Sequence, residues 1–91
     1  MKVFIDAPTS GRTAEVEEQI KTVTAKLEEE GHVVVSLALI PVGFDDDSYP
    51  EIAFTLLRHC DAIYVCDELR WERTDAFVDY LLTYNPDGVV L

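Results

Sequence analysis

Apolar and polar positions fall into blocks along this chain, and the period of the pattern changes from block to block. Val3-Phe4-Ile5, inside the run from Lys2 to Asp6, is short, apolar and rich in strand formers, and predicts a first strand over 2–6. Pro8, Thr9, Ser10 and Gly11 then make a turn. From Thr13 to Glu30 the apolar positions Val16, Ile20, Val23 and Leu27 are spaced by four, three and four, which predicts a helix with one narrow buried stripe. Glu15, Glu17 and Glu18 suit its first turns, where the helix dipole favours negative charge. Gly31 is placed to end it in a left-handed cap. The β-branched run Val33-Val34-Val35 within 33–37 predicts a second strand buried on both faces. A loop over 41–47 follows, and Ser48-Tyr49-Pro50-Glu51 has the form of a capping box opening a second helix that runs to about Cys60. Ile52, Phe54, Leu56 and Leu57 are its expected core residues. Ala62 to Cys66 predicts a third strand, Asp67 to Arg70 a polar connection, and Trp71 to Tyr84 a third helix. Asn85-Pro86-Asp87-Gly88 breaks that helix before a last strand at Val89-Val90-Leu91.

Strands alternating with helices of these lengths imply a parallel sheet. Right-handed crossovers leave few layouts, of which the order 2-1-3-4 is expected here, giving a single small flavodoxin/Rossmann-like three-layer α/β domain over residues 1–91. In that layout the first helix lies alone on one face. One helix does not cover four strands, so apolar surface near strands three and four is expected to stay open unless a partner covers it. A homodimer or higher homo-oligomer through that face is the expectation.

Composition narrows the function classes. The chain has 91 residues, enough for one core, and 48% of them are apolar, which disfavours disorder. A net charge of -11 disfavours binding to nucleic-acid backbones and to anionic membranes. No secretory leader pattern and no apolar stretch of membrane-spanning length is present, and Cys60 and Cys66 fit no metal or redox spacing. A reduced, cytoplasmic protein without metal or cofactor is the expectation.

Ligands of open α/β sheets bind outside the carboxyl ends of the strands where the strand order reverses, here between strands one and three. The loops that meet there carry Asp6, Pro8, Thr9, Ser10, Gly11, Arg12 and Trp71, and these are the candidate ligand-binding residues. Hydroxyls, a cation and a helix start suit a phosphate or sugar, and Trp71 suits a base. The plainer alternatives are turn and cap chemistry for Thr9, Ser10 and Gly11, and packing for Trp71. Asp45-Asp46-Asp47 reads as a solvated loop rather than a metal site, and His59-Cys60-Asp61 as three neighbours pointing apart rather than a nucleophile triad. Glu68, Glu72, Asp75 and Asp79 share one helical face if the third helix starts early.

At these residues the chain resembles the nucleoside 2-deoxyribosyltransferase-like superfamily, in particular its short DUF4406-type members. The resemblance lies in Ala7-Pro8-Thr9-Ser10-Gly11 after the first strand, Gly31-His32-Val33-Val34-Val35, Leu57-Arg58-His59-Cys60-Asp61-Ala62 and Trp71-Glu72-Arg73-Thr74, in that order. It implies a domain that binds a nucleoside, nucleotide or sugar phosphate. The chemistry it implies is hydrolysis or transfer at an N-glycosidic bond, with a carboxylate of the third helix trapping or stabilising an oxocarbenium-like centre. In ungapped register Tyr80 stands where the family has its glutamate, with Asp79 beside it. Asp79, Glu72 and Asp75 are therefore the candidate catalytic carboxylates, Asp79 first among them. The alternative is a binding or oligomeric module that has lost the chemistry.

Overall fold

The computed structural model describes residues 1–8, 13–37, 43–45 and 47–91. Four strands, β1 (Lys2–Ile5), β2 (Val33–Val35), β3 (Ala62–Tyr64) and β4 (Val89–Val90), alternate with three helices, α1 (Ala14–Glu29), α2 (Ser48–Leu57) and α3 (Thr74–Tyr84). The strands form one parallel sheet in the order β2-β1-β3-β4. Both the architecture and the strand order match the sequence expectation.

The two faces of the sheet follow from the alternation of β1. Val3, Ile5 and Ala7 point to one side, where they pack with Ile20, Val23 and Leu27 of α1 and with Ala62 and Leu69. Phe4 points to the other, where Ala53 and Leu57 of α2 and Phe77 and Leu81 of α3 meet Ile63. A crossover from β1 to β2 and crossovers from β2 to β3 and β3 to β4 run in opposite directions across the sheet. With one handedness they must use opposite faces.

Local signals hold at α1. The Thr13 side chain accepts from the Val16 N–H at 3.2 Å, an N-cap, and Gly31 ends the helix region at φ +93°, in the left-handed range that glycine enters at no steric cost. Asp61 stands at the amino end of the sheet: its N–H donates to the Lys2 carbonyl at 2.8 Å, its carboxylate accepts from the Lys2 N–H at 2.9 Å, and its carbonyl accepts from Val89.

Four expectations need correction. β2, at the edge that the expected strand order gives it, is not buried on both faces: Val33 is 62% exposed and Val34 and Val35 are half-buried. A β-branched run reports strand propensity but not sheet position. The capping box does not form: Ser48 is already helical, and Asp47, the cap residue, makes no side-chain capping bond. The buried positions of α2 are Tyr49, Ala53 and Leu57, at steps of four, while Ile52, Phe54 and Leu56 are half-buried on its flanks. With apolar residues at six of the ten helix positions, bulk alone did not fix the phase. Finally, Asp67–Leu69 is a 3-10 turn with Leu69 buried, and α3 begins at Thr74, so Glu68 and Glu72 do not lie on the helix.

The phase of α2 is testable by paired truncations. Leu57→Ala should cost about 2–5 kcal/mol of unfolding free energy and Leu56→Ala clearly less, measured by denaturant titration. Equal or reversed costs would contradict the packing.

Candidate functional site at the carboxyl end of β1

β1 does not stop at Ile5 in hydrogen-bonding terms. The Asp6 N–H donates to the Tyr64 carbonyl at 3.0 Å, so the β1–β3 ladder carries Asp6 to the point where the chain turns off the sheet. Alternation gives Asp6 the same face as Phe4, the side of α2 and α3. A carboxylate in that position is desolvated, and Asp6 is only 1% exposed.

Two donors from one segment satisfy it. The Trp71 indole Nε1–H donates to Oδ1 at 2.9 Å, and the Thr74 hydroxyl donates to Oδ2 at 2.6 Å. The same Thr74 oxygen accepts from the Trp71 backbone N–H at 3.0 Å, which closes the turn Trp71–Thr74 into the start of α3. The Trp71 ring packs against Phe77, with centroids 5.6 Å apart. Upstream, Leu69 is buried among the α1-side core residues. The segment from Cys66 to Thr74 therefore crosses the end of the sheet from the α1 side to the α3 side, anchored by Leu69 before the crossing and by Asp6 after it.

Burial pushes the Asp6 carboxyl above its ordinary value. The bonds from Thr74 and Trp71 and the charge of Arg70 oppose that shift, and the charge of Asp75 adds to it. Arg70 and Asp75 themselves form an exposed ion pair, with 2.9 Å between Nη2 and Oδ1. Asp67, Glu68, Glu72 and Arg73 complete an exposed, charged rim.

The sequence-predicted residues are distributed unevenly around this cluster. Asp6 and Trp71 are brought into direct contact, and Pro8 follows two residues after Asp6, half-buried. Thr9, Ser10, Gly11 and Arg12 lie outside the described residues. Glu72 is exposed beside Trp71, and Asp75 is exposed in the first turn of α3. Asp79 is also exposed, and at about 100° per residue it stands roughly 200° round α3 from the buried Phe77 and Leu81, on the outer face. Tyr80 packs toward α2, its ring 4.5 Å from Phe54 and 4.7 Å from Tyr84. Loss of solvation, followed by Tyr84, raises its pKa above the ordinary phenol value, so it stays neutral at pH 7 and does not replace a carboxylate.

Thr74 is the member of the cluster that sequence reasoning missed as a site residue. The available signal was the inward phase of Asp6, which demands partners, together with a hydroxyl three residues after Trp71. Among the described residues no three His, Cys, Asp or Glu side chains gather as a metal site. A groove of about 660 Å³ along α1 and β2 is lined by residues such as Ile20, Thr24, Val33 and Val34. It includes none from β1, β3 or the Cys66–Thr74 segment.

The family described as "Domain of unknown function (DUF4406)" matches residues 1–76, a stretch that contains Asp6, Trp71 and Thr74. The chain belongs to the DUF4406 family. No curated protein matches it. Among solved structures, the chain is similar to one described as "2-desoxiribosyltransferase from Leishmania mexicana", with a TM-score of 0.72 and 16% sequence identity. That match covers 99% of this chain and 61% of the other, so this chain spans under two thirds of that protein's length. The family and the deoxyribosyltransferase fold read from the sequence motifs are thus both found. Asp79 and Tyr80 lie beyond the stretch that the DUF4406 family matches.

The electrostatics of Asp6 set a pH dependence. Because its carboxyl is raised in the fold, the native protein holds a proton that the unfolded chain has already released. Stability from this group is therefore greatest at low pH. It falls as pH rises from the ordinary carboxylate range through the raised Asp6 value, and is level above it. Asp6→Asn does not titrate, so wild type should lose stability relative to D6N across that window, read by melts of both proteins at matched pH; a constant difference would contradict the assignment. Thr74→Val, which removes the shared hydroxyl, should cost about 1–3 kcal/mol by denaturant titration at neutral pH.

Proposed function

We propose that this domain binds a nucleoside, nucleotide or sugar phosphate outside the carboxyl ends of β1 and β3, against the Cys66–Thr74 segment. The observation that carries the reading is the Asp6–Trp71–Thr74 cluster. It holds an indole and the head of α3 at the reversal of strand order, the place where doubly wound sheets take their ligands. The likeness in fold to a protein described as a desoxiribosyltransferase supports the same ligand class.

In this reading the part of the Trp71 ring left open stacks on a base, and Thr9, Ser10, Gly11 and Arg12, next to Pro8, hold the sugar or phosphate. Asp6 acts as a positioning residue: its oxygens are committed to Trp71 and Thr74, and it fixes the indole rather than touching the ligand. If N-glycosidic chemistry is performed, a free carboxylate stabilises the sugar carbon as the base departs, and water or an acceptor base then adds there. Glu72 and Asp75, at the head of α3, are closer in the chain to Trp71 than Asp79, and Glu72 is the one not engaged in the Arg70 ion pair.

A second reading, binding without turnover, is favoured by α3. Position 80 is occupied by an aromatic packed on Phe54, and Asp79 faces away from the core.

The test is a thermal-shift screen with nucleosides, deoxynucleoside monophosphates and ribose phosphates, followed by chromatography for free base. A ligand present at about a hundred times its Kd should add about 2.7 kcal/mol of stability, and Trp71→Ala should abolish the shift. Base release that Glu72→Gln or Asp79→Ala eliminates would identify the working carboxylate. Binding without release would support the second reading, and no shift with any of these ligands would overturn the proposal.

A further inference from the structure

Lys21 and Glu28 are exposed on one flank of α1, about two turns apart, with Thr24 and Ala25 between them. This flank looks over β2, an edge strand, and the groove of about 660 Å³ lies between the two. Ile20, which is buried, and Val34, which is half-buried, give it an apolar floor.

The backbone of β2 is open on the same side. The Val33 N–H donates to the Met1 carbonyl at 3.0 Å, and Val33 is in register with Lys2 and Val35 with Phe4. In a parallel ladder that alternation turns the N–H and C=O of Val34 outward, away from β1. β2 has three residues, and a strand pairing of that length does not hold two chains together alone. A contact at this edge therefore draws also on the flank of α1.

We infer that a second copy of this chain occupies the groove, about a two-fold axis normal to the sheet that passes Val34 and the point between Thr24 and Ala25. Two independent observations select that axis. The first is the level of the residues. The groove runs from Ile20 to Glu28 along α1 and from His32 to Ser36 along β2, and the two elements run in opposite directions. Both stretches are about 12–13 Å long at their usual rises, so their middles, Thr24 and Val34, stand level. One axis can then serve strand and helix together.

The second is charge. In a chain of net charge -11, a self-contact has to set acids against bases. About this axis the two α1 helices run antiparallel, and Lys21 and Glu28 stand equally far from it on either side. Each Lys21 therefore faces Glu28 of the other copy. Glu17, one turn before Lys21 on the same flank, falls past the end of the other α1. An axis one turn away in either direction would set Lys21 against Lys21 or Glu28 against Glu28. The register that charge selects is thus the one that the sheet selects. The two Val34 residues exchange both backbone hydrogen bonds, and the two helices lie side by side on one face of an eight-stranded sheet. Ala25, exposed and small, lets them approach. The charge pairs fix the register more than they add affinity.

The test contains no ligand, so its outcome is separate from that of the ligand reading. Sedimentation of the 91-residue chain at micromolar concentration should give twice the chain mass. Lys21→Glu and Glu28→Lys, both at exposed helix positions, should each give the monomer mass with the fold retained by circular dichroism. The double variant K21E/E28K should restore the dimer. Hydrogen exchange by NMR should find the Val34 amide slower in wild type than in Lys21→Glu. A wild-type monomer at every concentration would overturn the inference. So would a dimer that survives both single reversals, a double variant that stays monomeric, or a Val34 amide that exchanges equally fast in dimer and monomer.

Discussion

The position of a single buried carboxylate governs the end of the sheet where the proposed site lies. Alternation along β1 turns Asp6 inward, and an ionised group there is costly unless it is fully hydrogen-bonded. Both partners come from one turn, Trp71–Thr74, so satisfying Asp6 also fixes the path of the β3–α3 connection and the first residue of α3. Leu69 secures the same connection on the opposite side of the sheet by ordinary apolar burial. The connection is thus held by a polar tie on one face and an apolar one on the other. Loss of the polar tie would strand an indole N–H and a hydroxyl as well as the carboxylate, which is why the three groups are best regarded as one unit.

Much of this fold was legible because its determinants are local. The step of four, three and four in α1, the cap at Thr13 and the left-handed Gly31 each act within a few residues. Alternating strands and helices with right-handed crossovers then restrict the topology. The errors came where the decisive term is non-local. Val33-Val34-Val35 has the composition of a strand buried on both faces, but at the sheet edge Val33 is left 62% exposed. In α2 the choice between Leu56 and Leu57 as core residues depends on where Phe77 and Ile63 lie, and these are distant in the chain. The start of α3 was misread because Trp71 and Glu72 have helical neighbours, whereas the hydrogen bonds of Asp6 hold them in a turn.

The candidate site was legible in its location and in Asp6 and Trp71, but not in the relation between them. Sequence reasoning set the pair at the carboxyl end of the first strand as separate ligand contacts. The geometry instead spends the Asp6 oxygens on Trp71 and Thr74, and so converts a carboxylate from a contact into a support. Only the parity of position 6 with Phe4 hinted at this, because parity says which side chains must find partners inside.

The three sides of α3 explain why the chemistry is hard to place on that helix. Thr74, Phe77 and Leu81 are buried against the sheet and Asp6. Tyr80 and Tyr84 lie toward α2, where Phe54 and Arg58 meet them. Leu82, Asp75 and Asp79 share the remaining, exposed flank. A carboxylate at position 80 would have to lie in the aromatic contact between α2 and α3, without a described cationic partner other than Arg58, which already sits over Tyr84. Filling that position with tyrosine favours helix packing over charge. The turn before α3, which carries Glu72, lies instead against Asp6 at the carboxyl end of the sheet.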